Sequence, residues 1–224
     1  MRYIISLGGS LIAPRGIDVN FLKKFRRILL GATNKGNKFL VIPGGGMTCR
    51  NYQNSASQIA KISNDGLDWI GIKTNQLHSY FLHAIFGKTA HPEVVQLDSK
   101  ARIAKPIAIL LGGLKPGGTS DSTAVRFAEK FKTNIIINLT NVSGVYDRDP
   151  KKYKNAKLIR SMTWVNLKKQ FGSDRTPGRN LPFDSSVVSL AARLGLKVVI
   201  MDGRNLKNFQ NFLAGRKFRG TIIQ

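Results

Sequence analysis

Arg2-Tyr3-Ile4-Ile5-Ser6-Leu7-Gly8-Gly9-Ser10 sets an apolar run directly against two glycines. A run of this length, rich in isoleucine and closed by a turn signal, reads as a buried strand. The pattern returns three times. Phe39-Leu40-Val41-Ile42 runs through Pro43 into Gly44-Gly45-Gly46, Ile107-Ala108-Ile109-Leu110-Leu111 ends at Gly112-Gly113, and 134–139 stops at Thr140-Asn141. Helical periods lie between. Asp18 is placed to cap a helix whose apolar side is Val19, Leu22, Phe25 and Leu29. Further helices are expected over 48–61 and 65–86, the second capped by Asn64, and another carries Ala124, Phe127, Ala128 and Phe131. Val94-Val95-Gln96-Leu97 reads as an additional strand and 144–160 as an irregular hairpin. Thr163 caps a helix, Asp184 opens one that ends at Gly195, 196–201 is a late strand, 205–214 the last helix and Thr221-Ile222-Ile223 a closing strand.

Strands alternating with helices predict an α/β fold, with a mainly parallel central sheet covered by helices on both faces. No repeat, low-complexity tract or linker divides the sequence, so 1–224 reads as one domain. A chain of 224 residues buries enough surface to need no disulfide or metal staple. The single cysteine, Cys49, has no partner for an intramolecular disulfide, and with His78, His83 and His91 it makes no zinc set. No apolar run approaches 18 residues, and the opening apolar stretch is broken by Gly8-Gly9-Ser10. A cytoplasmic protein without a membrane partner is expected. Lys+Arg 36 against Asp+Glu 12 gives a net charge of +24. Such a field favours polyanions, and nonspecific nucleic-acid binding at low salt is expected from it. The cations are scattered along the chain, as on solvated helix faces.

In open α/β sheets, ligands bind beyond the carboxyl ends of the strands. Four strands ending in glycine or polar turns on one edge describe a crevice for more than one phosphate, because glycine lets several N–H groups approach an anion. The sequence has neither G-x-x-x-x-G-K-[ST] nor a G-x-G-x-x-G after a strand, and no G-x-S-x-G. Phosphoryl transfer by positioning and electrostatics remains.

Four blocks then occur in order: Ser6-Leu7-Gly8-Gly9-Ser10; Pro43-Gly44-Gly45-Gly46-Met47-Thr48-Cys49-Arg50-Asn51-Tyr52; Gly113-Leu114-Lys115-Pro116-Gly117-Gly118-Thr119-Ser120-Asp121; and Thr140-Asn141-Val142-Ser143-Gly144-Val145-Tyr146-Asp147-Arg148-Asp149-Pro150. Together they resemble the amino acid kinase superfamily, and within it the archaeal-type uridylate kinases. The resemblance implies the amino acid kinase (carbamate kinase-like) fold and ATP-dependent phosphorylation of UMP to UDP, with Mg²⁺ carried by the nucleotide. It implies a homo-oligomer, with a hexamer expected. It assigns Gly9, Ser10, Gly46 and Arg50 to the transferring phosphates, and Thr140, Asn141, Tyr146 and Asp149 to the adenosine. Gly45 and Asp68 would contact UMP, with Leu114, Lys115, Pro116, Gly117, Gly118, Thr119 and Ser120 wrapping it. Ser10, Arg50, Asp121 and Asp184 would carry the catalytic roles. Read without the resemblance, Asp121 and Asp184 are equally helix N-terminal residues, Asp149 a turn residue and Arg50 a solvated cation.

The sequence also departs from the superfamily pattern. Ser6 stands where many superfamily kinases carry a lysine, Met47 where a lysine often follows the glycines, and Ser143 where an aspartate is common. The T-R-x-N element reads Asn75-Gln76-Leu77-His78. Lys73, Lys115, Arg175 and Arg179 are candidate replacement cations, and His78 a candidate titratable one. Alternative readings are a family kinase with another phosphate-bearing or carboxylate acceptor, or a non-catalytic nucleotide- or RNA-binding homologue. For the interface between subunits, Phe21, Trp69, Tyr80, Phe81 and Phe86 are the candidates.

Overall fold

A computed structural model describes residues 1–113, 115–150, 152–171 and 183–224. In chain order the elements are β1 Arg2–Leu7, α1 Gly9–Ile12, α2 Val19–Thr33, β2 Lys38–Pro43, α3 Gly46–Ile59, α4 Asn64–Phe86, β3 Ile107–Ile109, α5 Ser120–Lys130 and β4 Ile135–Thr140. They continue with β5 Ser161–Met162, α6 Trp164–Phe171, α7 Val188–Arg193, β6 Lys197–Asp202, α8 Leu206–Leu213 and β7 Thr221–Ile223. The seven strands form one sheet in the order β3-β2-β1-β4-β6-β7-β5. β1, β2, β3, β4 and β6 run parallel, and β7 enters antiparallel beside β6. The four strands that end in glycine or polar turns are therefore adjacent and point the same way, as expected.

Alternation along the strands divides the core. Ile4, Leu40, Ile42, Ala108 and Ile136 pack on one face under α5, α6 and α7. Tyr3, Ile5, Leu7, Phe39 and Val41 pack on the other with α2, α8 and the end of α4, where Phe25, Phe209, Leu82 and Phe86 are all buried. Both faces are covered, which is what makes the strand sequences nearly continuous in apolar residues.

Several local expectations shift. Asp18 does cap α2, its carboxylate accepting from the Phe21 N–H at 2.8 Å, but Val19 is 52% exposed and the buried side is Phe21, Leu22, Phe25 and Leu29. Ser63 rather than Asn64 caps α4, because Ser63 is extended and its hydroxyl accepts from Gly66 N–H three residues on, while Asn64 is already helical. The segment 94–97 is no strand. The stretch 90–97 touches the sheet at two isolated points, Ala90 to Ile107 and Val95 to Leu110, with Pro92 between them unable to donate a ladder bond. The helix opened by Asp184 begins as a 3-10 turn, Ser185–Val187, and α7 ends before Gly195. Phe21 and Phe86 belong to the internal core and Phe81 packs against it, which leaves Trp69, Leu77 and Tyr80 as the exposed apolar residues of α4.

Candidate active site

Beyond the ends of β1, β2 and β4 lies a crevice of about 320 Å³. It is lined by the Ser6–Ser10 and Gly44–Gly46 segments and by Arg50, Ser120, Asp121, Asn138, Thr140, Val142 and Ile200. That is the small end of the range for ligand pockets, suited to phosphate groups rather than to two whole nucleotides.

The floor is main chain against main chain. A Cβ on Gly9 would lie 2.2 Å from Gly46 N, and one on Gly46 would lie 2.2 Å from Gly9 C. Gly46 also takes φ +61, a left-handed conformation that side chains disfavour. Only glycine at both positions lets the two turns interlock. Gly44 N–H donates to Leu7 O and Gly8 N–H to Leu139 O, both at 2.9 Å, so the turns extend the sheet's own hydrogen bonding. No side chain caps α3, which starts at Gly46, and the first amides of such a helix carry positive potential.

Side chains enter from α3, α5 and the sheet. Ser6 and Asn138 are register partners on β1 and β4, with Ile200 next to Asn138 on β6. Asn138 Nδ2 donates to Asp121 Oδ1 at 3.4 Å. The Asp184 N–H donates to Asp121 Oδ2 at 3.1 Å. Asp184 in turn accepts from the Thr119 hydroxyl at 2.5 Å and from Ser186 N–H at 2.9 Å, so it is a cap that also ties two segments together. Thr119 closes a reciprocal capping box with Ser122 at the start of α5. Burial raises the Asp121 carboxyl to about 7; the Asp184 N–H holds it down and the Asp184 carboxylate pushes it up. Arg50 is the only cation on the crevice wall among the described residues.

From Gly45 the site continues along α4. A Cβ on Gly45 would meet Cys49 Cβ at 2.6 Å and Asn75 Oδ1 at 3.0 Å. The Cys49 thiol is pushed up by burial, with Arg50 opposing and the Asp68 carboxylate adding to the rise. Asp68 Oδ2 accepts from Gly117 N–H at 2.7 Å, which joins α4 to the 115–120 loop.

The expected residues fall into groups. Gly9, Ser10, Gly45, Gly46, Arg50, Ser120, Asp121 and Thr140 share the crevice. Asp184 and Thr119 back it through Asp121 and α5. Asp68 and Gly117 form the neighbouring loop contact, Lys115, Pro116 and Gly118 lie on the same loop, and Leu114 lies outside the described residues. Asn141, Tyr146 and Asp149 do not line the crevice but follow from Thr140 in the next segment, where Asn141 and Asp149 are exposed and the half-buried Tyr146 bridges to Leu158. Of the candidate cations, Lys73 lies 5.9 Å over the Trp69 ring and donates to Gln76 Oε1 at 3.3 Å. Lys115 is exposed on the loop, while Arg175 and Arg179 lie outside the described residues.

The Asn75–His78 element departs from its expected placement. His78 is 2% exposed, and its Nδ1 lies 2.7 Å from Gly44 O, so it holds a glycine turn from behind and is not on the crevice wall. Ser79, absent from the expected set, is fully buried. Its hydroxyl donates towards Leu110 O at 3.1 Å and accepts from Gly112 N–H at 3.1 Å. Ser6, Asn138 and Val142 were also missing from that set. The signal for the first two was a lone polar residue near the end of an apolar strand.

Residues 1–202 match the amino acid kinase family. The chain is 34% identical to the uridylate kinase of Thermoplasma volcanium, over 99% of this chain and 96% of that one. It is 30% identical to the uridylate kinase of Thermococcus kodakarensis over the whole of both. Among solved structures, the uridylate kinase of Archaeoglobus fulgidus superposes with a TM-score of 0.82 at 28% identity, covering both chains entirely. An isopentenyl phosphate kinase at 17% identity and TM-score 0.67 shares the fold. With its interlocked glycine turns beyond a mostly parallel sheet, this chain belongs to the amino acid kinase family.

Proposed function

We propose that the chain is a uridylate kinase, a nucleoside monophosphate kinase that transfers the γ-phosphoryl group of ATP to UMP and forms UDP. The observation that carries this reading is the continuity of the site. The Gly9–Gly46 cradle leads through Gly45, Cys49 and Asp68 to the Gly117 amide, so donor and acceptor regions meet at one place. Full-length similarity to curated uridylate kinases supports it.

In this reading, backbone amides of the two turns with Ser10 hold the phosphates in line, and Arg50 meets charge that develops during transfer. Mg²⁺ arrives with the ATP phosphates. Thr140, Asn141, Tyr146 and Asp149 hold the adenosine, Gly45, Asp68 and the 114–120 loop hold UMP, and Asp121 and Asp184 orient the reacting groups. No covalent enzyme intermediate forms. An ADP-release assay across the nucleoside monophosphates tests the reading. UMP-dependent release is expected, and release driven by a different acceptor, with UMP inert, contradicts it.

The exposed Trp69, Leu77 and Tyr80 of α4, with Tyr52 and Ile59 of α3, supply the apolar contact of a homo-oligomer, for which we propose a hexamer in the cytoplasm. Sedimentation as a monomer at micromolar concentration overturns that. Arg148–Asp147 and Arg204–Asp202 pair their charges, and with Lys+Arg 36 against Asp+Glu 12 the excess of cations is available for weak, salt-sensitive nucleic-acid binding. No helix among the described residues is long and apolar enough to cross a membrane.

A further inference from the structure

A crevice walled by two glycine turns carries a carboxyl group, Asp121, and among the described residues its lining includes Arg50 but no lysine. We propose that Asp121 works as a neutral carboxylic acid, donating its proton in a hydrogen bond to a phosphoryl oxygen held between the Gly8–Ser10 and Gly44–Gly46 turns. This rests on the phosphoryl-transfer reading and assigns Asp121 as a hydrogen-bond donor to phosphate on a wall that also carries Arg50.

The surroundings of Asp121 decide its charge. From β1 it is faced by Ser6 and from β4 by Asn138, neither of which carries charge. From the 3-10 turn after residue 183 it is faced by Asp184, whose own carboxylate takes the Thr119 hydroxyl and the Ser186 amide. From α3 the only charged group on the wall is Arg50, whose Nε is turned to Met47 Sδ at 3.2 Å. Asp121 forms no ion pair among the described residues. Two carboxyl groups are thus neighbours, and the stronger donors serve Asp184. The proton therefore resides on Asp121. The rise of its carboxyl to about 7, caused first by burial, agrees.

An approaching phosphate strengthens the preference. An ionised Asp121 would repel it in a site of low dielectric, whereas the acid offers a donor. Binding of a triphosphate should therefore pull a proton onto Asp121. During transfer the bond from the γ-phosphorus to the β,γ-bridging oxygen breaks and an oxygen of the UMP phosphate bonds to that phosphorus. The Asp121 proton stays in place throughout, so the role is positioning and charge stabilisation.

The test combines three readouts on wild type and Asp121→Asn, which keeps an acceptor for the Asp184 amide and an NH₂ donor for phosphate. Infrared titration of the free protein should show a carboxylic-acid band at pH 6 that disappears as pH rises and is missing in Asp121→Asn. Calorimetry with a non-hydrolysable ATP analogue at pH 8, in buffers of different ionisation enthalpy, should show close to one more proton taken up per site in wild type than in the variant. The kcat of the wild type should fall about tenfold per pH unit well above 7, while Asp121→Asn retains turnover within about tenfold of the neutral-pH value and loses that limb. No acid band at neutral pH overturns the proposal. So does equal proton uptake in the two proteins, or wild-type activity that rises through pH 7 and is abolished at every pH in Asp121→Asn. Failure of UMP as acceptor would show in the ADP assay alone and leaves the infrared and calorimetric results decisive.

Discussion

Around Gly9 and Gly46 main chain meets main chain with no room for a methyl group, whereas around Asp68 and Gly117 one carboxylate holds one amide. In the proposed function the first region holds the phosphates, through backbone geometry that no side-chain motion can relax. The second holds an exposed loop through a charge-assisted hydrogen bond to a side chain, and the Lys115 next to it reaches solvent. The difference separates what the fold dictates from what an acceptor can adjust. A phosphate is the same in every nucleotide, so its cradle can be rigid, while the loop can change with the acceptor without disturbing the sheet.

Substitutions should reveal the contrast most strongly at the cradle. Gly46→Ala places a Cβ into the Gly9 main chain at a left-handed φ, which strains the turn by about 1–3 kcal/mol before any overlap is counted. A displacement of the turn by about 1 Å costs on the order of 100-fold in turnover. We expect at least that loss in kcat, with a lowered Tm. Near-normal kcat in a folded Gly46→Ala would break the comparison, since it would mean that the cradle is not where the phosphates sit.

Asp68→Asn should have a smaller and more selective effect. Charged hydrogen bonds are roughly twice as strong as neutral ones, and losing the difference here loosens the 115–120 loop. About a tenfold rise in the KM for UMP is expected, equivalent to about 1.4 kcal/mol, with the KM for ATP nearly unchanged. Equal changes in both constants in steady-state kinetics would show that donor and acceptor regions are not separable in this way.

The smallest effect on chemistry is expected at His78. With its ring behind the Gly44 turn, His78→Ala should destabilise the protein by about 1–3 kcal/mol, through an unpaired buried carbonyl and a cavity. The pH dependence of the KM for UMP should stay as in wild type. A pH limb in that KM that vanishes in His78→Ala would restore this histidine to the acceptor site and sharpen the boundary between the two regions.

Much of this was legible in the chain. An apolar run stopped by glycine or a polar turn carries its meaning locally, so the ends of β1, β2 and β4 and their common edge could be read without contacts. Asp18 and Thr163 could be read as caps for the same reason. Side-chain direction on a long helix could not. Asn75, His78 and Ser79 face the glycine turns because α4 packs closely against Gly45, Gly112 and Gly113, and that approach is a property of the assembled sheet. The pairing of Ser6 with Asn138 likewise depends on register between residues 132 positions apart, although each was visible as a polar intruder among isoleucines. The two-residue β5 is too short to announce itself by periodicity.

In the proposed reaction the Gly8–Ser10 and Gly44–Gly46 turns together hold the transferring phosphate, with UMP entering beside the Asp68-bound loop. A crystal structure with a non-hydrolysable ATP analogue and UMP tests it most directly. The γ-phosphate is predicted within hydrogen-bonding distance of the Gly9 and Gly46 amides and of Asp121, facing the UMP phosphate across the crevice. A triphosphate bound elsewhere, with the crevice between the two glycine turns filled by water alone, would contradict it.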